Sequence, residues 1–263
     1  MMFDLKGKVA IVTGATAWLG RDMAEVFAEH GCDVIITSRQ KEKADKAAEE
    51  IAKKYSVKAI GLALDVNVPQ SVEDFAKAAN DWQGHIDILV NNSGGGSGAS
   101  EGHIFDRSYE AIENMIKTNL TGTIFVCKAV GAYMKAQKSG KIINIGSIAG
   151  IVGRDRRMYY NANKMEQPVD YAAAKGGVIA LTRDLAAVMA PYNVNVNCIS
   201  PGGFDKGDLP EEFVRLYGDR TALGRMGRMG IDLKGAALFL ATDASDYVTG
   251  INLAVDGGFS SWQ

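Results

Sequence analysis

Two tyrosines in this chain stand four residues before a lysine: Tyr160-x-x-x-Lys164 and, shortly after, Tyr171-x-x-x-Lys175. A phenol beside an ammonium can move protons. Free tyrosine titrates at about 10, and a nearby cation lowers it by roughly one to three units, into the range of acid–base work near neutrality. The spacing has geometric content only on a helix, where residues four apart share a face. "YNANKMEQP" holds two asparagines and ends at Pro168, and it predicts no stable helix. "YAAAKGGVIALTRDLAAVMA" carries apolar residues at 174, 178, 181, 185 and 188, a helical stripe, and Asp170 is placed to cap it. Tyr171 and Lys175 are therefore the candidate pair, and Tyr160 and Lys164 a coincidence of composition.

The elements that must hold such a pair follow from the hydrophobic pattern. Short β-branched runs read as strands at 8–14, 33–38, 59–64, 86–92, 140–147, 193–200 and 251–256. Helical patterns fall between them at 19–31, 41–55, near 71–82, about 109–137, 171–190 and near 232–242. The strands are almost continuously apolar, which predicts cover on both faces. Repeated alternation of strand and helix predicts an α/β fold with a doubly wound parallel sheet, a single Rossmann-type domain over 1–263. "SGGGSG" at 93–98 reads as a mobile loop at the carboxyl end of a strand, the edge where ligands bind in such folds.

Composition narrows the function. With 263 residues, 47% of them apolar, the chain can bury a large core, and its net charge of −2 offers no bulk attraction to nucleic acid or anionic membrane. No apolar run reaches the roughly 18 residues of a membrane span, and the start "MMFDLKGKVAIV" does not read as a signal peptide. Cys32, Cys127 and Cys198 sit singly in apolar contexts, which suits packing in a reducing cytosol. His30, His85 and His103 share no ligand spacing, so no metal is expected.

The first strand runs into "TGATAWLG", a glycine-bearing turn that opens a helix and aims backbone N–H groups at a phosphate. Here the chain resembles the short-chain dehydrogenase/reductase family, whose fingerprint is Thr-Gly-x-x-x-Gly-x-Gly. Thr13, Gly14 and Gly20 match, Leu19 lies within the turn, and Trp18 occupies the middle glycine position. An indole there must turn to solvent or lie across the cofactor cleft, and a positive φ would strain it. Two readings stay open: weakened or lost nucleotide binding, or a turn that tolerates Trp18 with its ring beside the nucleotide. The second strand ends at Ser38-Arg39, without the acidic residue that NAD-preferring members place at Ser38. The Arg39 guanidinium suits a 2′-phosphate, so NADP is favoured over NAD; the alternative is a solvated arginine. By the same resemblance, Asp65 and Val66 contact adenine, and "NNSG", with Asn92 and Gly94, matches the family's Asn-Asn-Ala-Gly. "ISPGG", with Pro201 and Gly202, matches the motif after the sixth strand.

The resemblance also assigns roles. Tyr171 transfers the proton, Lys175 assists it and holds the nicotinamide ribose, Ser147 bonds the reacting oxygen, and Asn119 in "IKTNLTG" orders a water chain to the lysine. Family members usually have the serine about as far from the tyrosine as Ser147 is from Tyr160, so the greater distance to Tyr171 implies an insertion. That insertion, about 151–168, reads as a loop over the active site, and its Arg154, Arg156, Arg157 and Lys164 suggest an anionic or heavily hydroxylated small-molecule substrate. The charges are equally compatible with simple solvation or with contact to another subunit. From "FDLKGKVAIVTG", "YAAAKGGVIALTRDLA" and "ALGRMG" the chain looks most like the gluconate 5-dehydrogenase group, which implies interconversion of hydroxyl and carbonyl on a sugar acid or polyol, in a cytoplasmic homotetramer without nucleic-acid or membrane partners. A 3-oxoacyl thioester reductase, or a non-redox ligand-binding or sugar-modifying member, remain alternatives.

Overall fold

The computed structural model describes residues 2–95 and 101–261. In chain order the principal elements are β1 (Val9–Val12), α1 (Trp18–Glu29), β2 (Asp33–Ser38), α2 (Lys41–Tyr55), β3 (Ala59–Ala63), α3 (Pro69–Gln83) and β4 (Ile88–Asn91). There follow α4 (Tyr109–Ile116), α5 (Gly122–Gln137), β5 (Gly140–Ile145), α6 (Arg157–Asn161), α7 (Val169–Met189) and β6 (Val194–Pro201). The last are β7 (Phe204–Asp205), α8 (Glu211–Gly218), β8 (Gly227–Arg228), α9 (Lys234–Ala241) and β9 (Asn252–Val255). Seven parallel strands form one sheet in the order β3-β2-β1-β4-β5-β6-β9, a single Rossmann-type α/β domain, and β7 and β8 pair separately.

Side chains alternate across each strand, and both faces are covered. Ala10, Val12, Val34, Ile36 and Val90 pack with Met23 and Phe27 of α1 and Leu240 of α9. Val9, Ile11, Ile35, Leu89 and Ile142 pack on the other face with Phe75 of α3, Met134 of α5 and Met189 of α7. Strand order reverses between β1 and β4, and this opens a crevice at the carboxyl edge. Among the described residues no helix is long and apolar enough to cross a membrane.

The structure departs from the sequence expectations at three points, and a fourth expectation lies partly outside the described residues. Residues 109–137 are not one regular helix, because a π-helical turn over Lys117–Thr121 joins α4 to α5. The insertion at 151–168 is more than a loop. It contains α6, whose Met158 and Tyr159 are buried against Phe213, Tyr217 and Phe259, so a helical turn forms where none was expected. Of the glycine-rich stretch at 93–98, residues 96–98 lie outside the described residues. Asp170 does not cap α7. That position falls to Pro168, and Asp170 lies inside the first turn.

Asp170 has a different task. Its Oδ2 accepts a 2.7 Å bond from Arg107 Nη2, and both side chains are almost wholly buried. Arg107 also donates to the Glu101 carbonyl at 2.8 Å and the Ala111 carbonyl at 3.1 Å. The pair ties the approach to α4 to the start of α7, one residue before Tyr171. Among the described residues Arg107 Nε and Asp170 Oδ1 have no partner, so desolvation is incompletely offset. Removing one member strands a buried charge, which costs about 3–5 kcal/mol, whereas an apolar replacement of both is far better tolerated. Arg107→Met should lower urea-unfolding stability by that amount, and Arg107→Met with Asp170→Leu should recover most of it. A double variant as unstable as the sum of the singles would show that the pair is not coupled.

Candidate active site

The first turn is built around Thr13. Its hydroxyl accepts from the N–H groups of Asn92 and Ser93, each at 2.9 Å, and Asn92 Nδ2 donates back to the carbonyls of Thr13 at 2.9 Å and Gly14 at 3.2 Å. The end of β1 is thereby stapled to the end of β4 across the crevice. The Gly14 N–H donates to the Thr37 hydroxyl at 3.2 Å, which ties in β2 as well. Gly20 is needed for closeness, since a Cβ there would meet Asn92 Nδ2 at 2.5 Å and the Gly14 carbonyl at 2.9 Å. Leu19 packs on the core beneath.

Trp18 opens α1 with φ 56°, in the left-handed region that glycine enters freely. For an L-residue this costs about 1–2 kcal/mol. The indole is half exposed, and Lys206, in the segment after β7, sets its Nζ 4.3 Å from the ring centroid. Such a contact at an exposed site returns about 0.5–1 kcal/mol, so the strain is only partly offset. The contact also links the first turn to a segment beyond the sixth strand.

A phosphate fits this turn. Ala17 caps α1 without any side-chain hydrogen bond, and the first turn holds no acidic residue. The N-terminal N–H groups therefore face neither a competing side-chain acceptor nor a repelling carboxylate. Ser38 is half-buried at the end of β2, and Arg39 is exposed; among the described residues Arg39 joins no ion pair. At the end of β3, Asp65 Oδ1 accepts from the Asn67 N–H at 2.9 Å and Val66 is buried, in close contact with Gly122. Pro201 ends β6, and the Gly202 N–H donates to the Val255 carbonyl at 3.0 Å.

Gly94 lies against Asn119, whose Oδ1 a Cβ on Gly94 would meet at 2.6 Å. Asn119 sits in the π-helical turn and is buried. Its Oδ1 accepts from the Gly95 N–H at 2.7 Å, and its Nδ2 donates to the Met115 carbonyl at 3.1 Å. This amide holds the loop after β4.

Tyr171 and Lys175 lie one turn apart on α7, both buried, with Lys175 Nζ 5.8 Å from the phenol ring centroid. Ser147, just beyond β5, accepts from the Ala149 N–H at 3.1 Å and stands beside the Tyr171 hydroxyl. The electrostatics differ from the sequence expectation. Burial raises Tyr171 above its ordinary 10, opposed by Ser147 and by the charge of Arg154. The ammonium donates to the Ile145 carbonyl at 2.7 Å. Burial in turn brings Lys175 down to about 8.

The second tyrosine–lysine pair has no shared geometry. Tyr160 is exposed on α6, which ends at Asn161, so Lys164 lies outside the helix and sits over the Phe213 ring at 5.4 Å. The sequence reading also missed a buried network. Asn91 Nδ2 donates to Asn144 Oδ1 at 2.8 Å, Asn144 Nδ2 to the Thr182 hydroxyl at 3.0 Å, and Thr182 to the Val178 carbonyl at 2.8 Å. This chain links β4 through β5 to α7 and fixes the rotation of the helix. Asparagines inside two apolar strands were the available signal.

The lowered Lys175 makes stability depend on pH. The folded protein releases this proton at a lower pH than the unfolded chain, so the unfolded state holds more protons between about 8 and 10.5, and stability rises with pH there. Lys175→Met removes the effect. Wild type should therefore gain stability relative to Lys175→Met between pH 8 and 10, by at most about 3 kcal/mol. Parallel stability–pH curves for the two proteins would mean the ammonium is not desolvated.

The family described as enoyl-(acyl carrier protein) reductase matches residues 14–260. The chain is 37% identical over 263 residues to a 3-oxoacyl-acyl-carrier-protein reductase of Aquifex aeolicus, with 98% of this chain and 99% of that protein covered. It is 36% identical over 266 residues to an NADP-dependent mannitol dehydrogenase of Hypocrea jecorina, with 99% and 95% covered. A solved gluconate 5-dehydrogenase from Burkholderia cenocepacia, in complex with NADP and tartrate, matches with a TM-score of 0.88 at 32% identity over 100% of this chain and 98% of that one. With the glycine turn, the sheet and the tyrosine–lysine helix all inside regions matched end to end, this chain belongs to the short-chain dehydrogenase/reductase family.

Proposed function

We propose that the protein is an NADP-dependent oxidoreductase that interconverts a hydroxyl and a carbonyl on a sugar acid or polyol. The observation that carries this reading is the placement of Tyr171 and Lys175, buried on one face of α7 at the carboxyl edge of the sheet, with Ser147 beside the phenol. NADP, when bound, supplies the hydride acceptor for oxidation and the donor for reduction. Thr13, Gly14, Trp18, Leu19 and Gly20 form the turn for the pyrophosphate, and Ser38 and Arg39 receive the 2′-phosphate end. Asp65, Val66, Asn92 and Gly94 line the crevice between, and Pro201 and Gly202 bound its far end. This arrangement is supported by the uncapped start of α1 and the exposed guanidinium of Arg39.

Tyr171 rests protonated near neutrality, as an ordinary phenol does, and burial reinforces this. That suits donation to a carbonyl oxygen as the substrate carbon accepts hydride; in the reverse direction the phenolate takes the hydroxyl proton. Ser147 steadies the reacting oxygen. Lys175 holds the ribose and, as a buried cation, favours the phenolate once Tyr171 has given up its proton. Asn119 keeps the loop after β4 in place.

The names of two relatives, a mannitol dehydrogenase and a gluconate 5-dehydrogenase, support a polyhydroxylated substrate, as does the basic insertion. The Aquifex relative supports a second reading, reduction of a 3-oxoacyl thioester. We further take the assembly to be a cytosolic homotetramer. Phe105 and Tyr109 are exposed beside an α4 that buries no residue, which suits an interface, and the three cysteines are free and buried, which suits a reducing compartment.

Turnover with both cofactors against sugar acids, polyols and 3-oxoacyl esters tests the reading: NADP reduction by a sugar acid or polyol is expected, and exclusive turnover of thioesters would replace it. Tyr171→Phe should abolish turnover and Tyr160→Phe should spare it; the reverse pattern would sink the assignment. Arg39→Ala should weaken NADP by the 1.5–3 kcal/mol scale of a charged hydrogen bond, roughly ten-fold or more in Michaelis constant, with little change for NAD. Equal effects on both nucleotides would remove Arg39 from the 2′-phosphate.

A further inference from the structure

The three arginines of the insertion are not equivalent. Arg157 is exposed to solvent and held by Asp155, with Nε at 2.9 and 3.2 Å and Nη2 at 2.8 Å from its two carboxylate oxygens, and Arg220 pairs with the same carboxylate. Arg156 places Nη1 3.2 Å from Glu166 Oε2 and donates to the Gln167 carbonyl at 2.7 Å. Both side chains are committed to carboxylates inside the insertion. They brace it.

Arg154 differs. Its partners are all neutral: the Gln167 side-chain carbonyl, the Gln167 main-chain carbonyl at 3.5 Å and the Tyr159 hydroxyl at 3.5 Å. Among the described residues no carboxylate lies within ion-pairing distance of it, and its Nε–H has no protein acceptor. The residue is half-buried. A guanidinium partly withdrawn from water and left without a counter-charge is matched to a planar anion that it can grip through two parallel N–H bonds.

Its surroundings place it at the reaction centre. Tyr159 belongs to an aromatic cluster with Phe213 and Tyr217, ring centroids 5.2 and 6.1 Å apart in succession, and the cluster includes Ile148, the neighbour of Ser147. Gln167, which grips the guanidinium twice, precedes Pro168 at the cap of α7, the helix of Tyr171. The arginine is thus anchored both to the wall beside Ser147 and to the start of the tyrosine helix. Its charge is felt at the hydroxyls of both Tyr171 and Tyr217.

We infer that Arg154 is the carboxylate anchor of the substrate site, and that the insertion exists to carry it. The inference rests on the oxidoreductase reading above and narrows its substrate class to hydroxy and keto acids, whose carboxylate sits on Arg154 while the reacting carbon faces Tyr171 and Ser147. Arg156 and Arg157 take no part in recognition.

Calorimetric titration of the NADPH-saturated enzyme tests this, because a hydroxy acid then forms a dead-end complex and binding is read without turnover. Gluconate is compared with gluconamide, and lactate with lactamide, on wild type, Arg154→Gln, Arg154→Lys and Arg157→Gln. Wild type should prefer carboxylate over amide at least ten-fold in one or both pairs. Arg157→Gln should keep that preference, Arg154→Gln should bind acid and amide alike, and NADPH affinity should be the same throughout. If Arg154→Gln has also lost NADPH affinity it is misfolded, and Arg154→Lys decides: a reduced preference supports the anchor and an unchanged one overturns it. No carboxylate preference in wild type, including no binding of either member of both pairs, overturns it as well, as does a preference that survives in Arg154→Gln. NADP reduction is followed in parallel. Carboxylate preference without turnover sustains Arg154 and sinks the sugar-acid dehydrogenase reading, whereas turnover without carboxylate preference sinks Arg154 alone.

Discussion

A lysine ammonium buried on a single carbonyl is the constraint around which the site is organised. Lys175 donates to the Ile145 carbonyl at 2.7 Å, and burial brings it down to about 8. A charge held in so dry a place needs a rigid helix behind it, because a small rotation of α7 would let the amine escape to water. Three anchors prevent that rotation. The Asn91–Asn144–Thr182 chain grips α7 from the sheet, the Arg107–Asp170 pair grips its first turn, and Gly150 packs so closely on Lys175 and Gly176 that a Cβ there would meet the Gly176 nitrogen at 2.6 Å. The first two anchors use polar groups inside the protein, which is tolerable only where partners are fixed.

The insertion shows how a segment of charged residues becomes a structured wall. Met158 and Tyr159 dock on Phe213 and Tyr217, so α6 and α8 stabilise one another beside the site. Once that apolar contact is made, the arginines are sorted by what lies within reach: Asp155 for Arg157, Glu166 for Arg156, and neutral groups alone for Arg154. Gly102 sits hard against the Glu166 carbonyl, so the approach to α4 clamps the same wall from the other side.

Trp18 illustrates a backbone requirement outlasting the residue that suits it best. The turn between β1 and α1 keeps a positive φ at this position although the side chain is an indole. The stapling of Thr13 to Asn92 and Ser93 leaves the turn little freedom to relax. The ring is therefore sent outward, where Lys206 covers one face.

Much of this protein was determined locally. The parallel sheet was legible because each strand is a short apolar run and each helix carries its own stripe, and those patterns depend on neighbours a few residues away. That Tyr171 and Lys175 share a helix and Tyr160 and Lys164 do not was legible for the same reason, since asparagine is a weak helix former and proline is barred from a helix interior; the single turn of α6 forms even so, because tertiary contact with α8 outweighs weak propensity. Asp170 was misread as a cap because proximity to a helix start is visible in sequence, whereas Arg107, sixty-three positions away, is not. Equally invisible were the pairing of two insertion arginines, the isolation of the third and the direction in which burial moves Tyr171. Charge pairing and desolvation depend on distances between segments far apart in the chain, and only packing the sheet, α7 and the aromatic cluster together sets those distances.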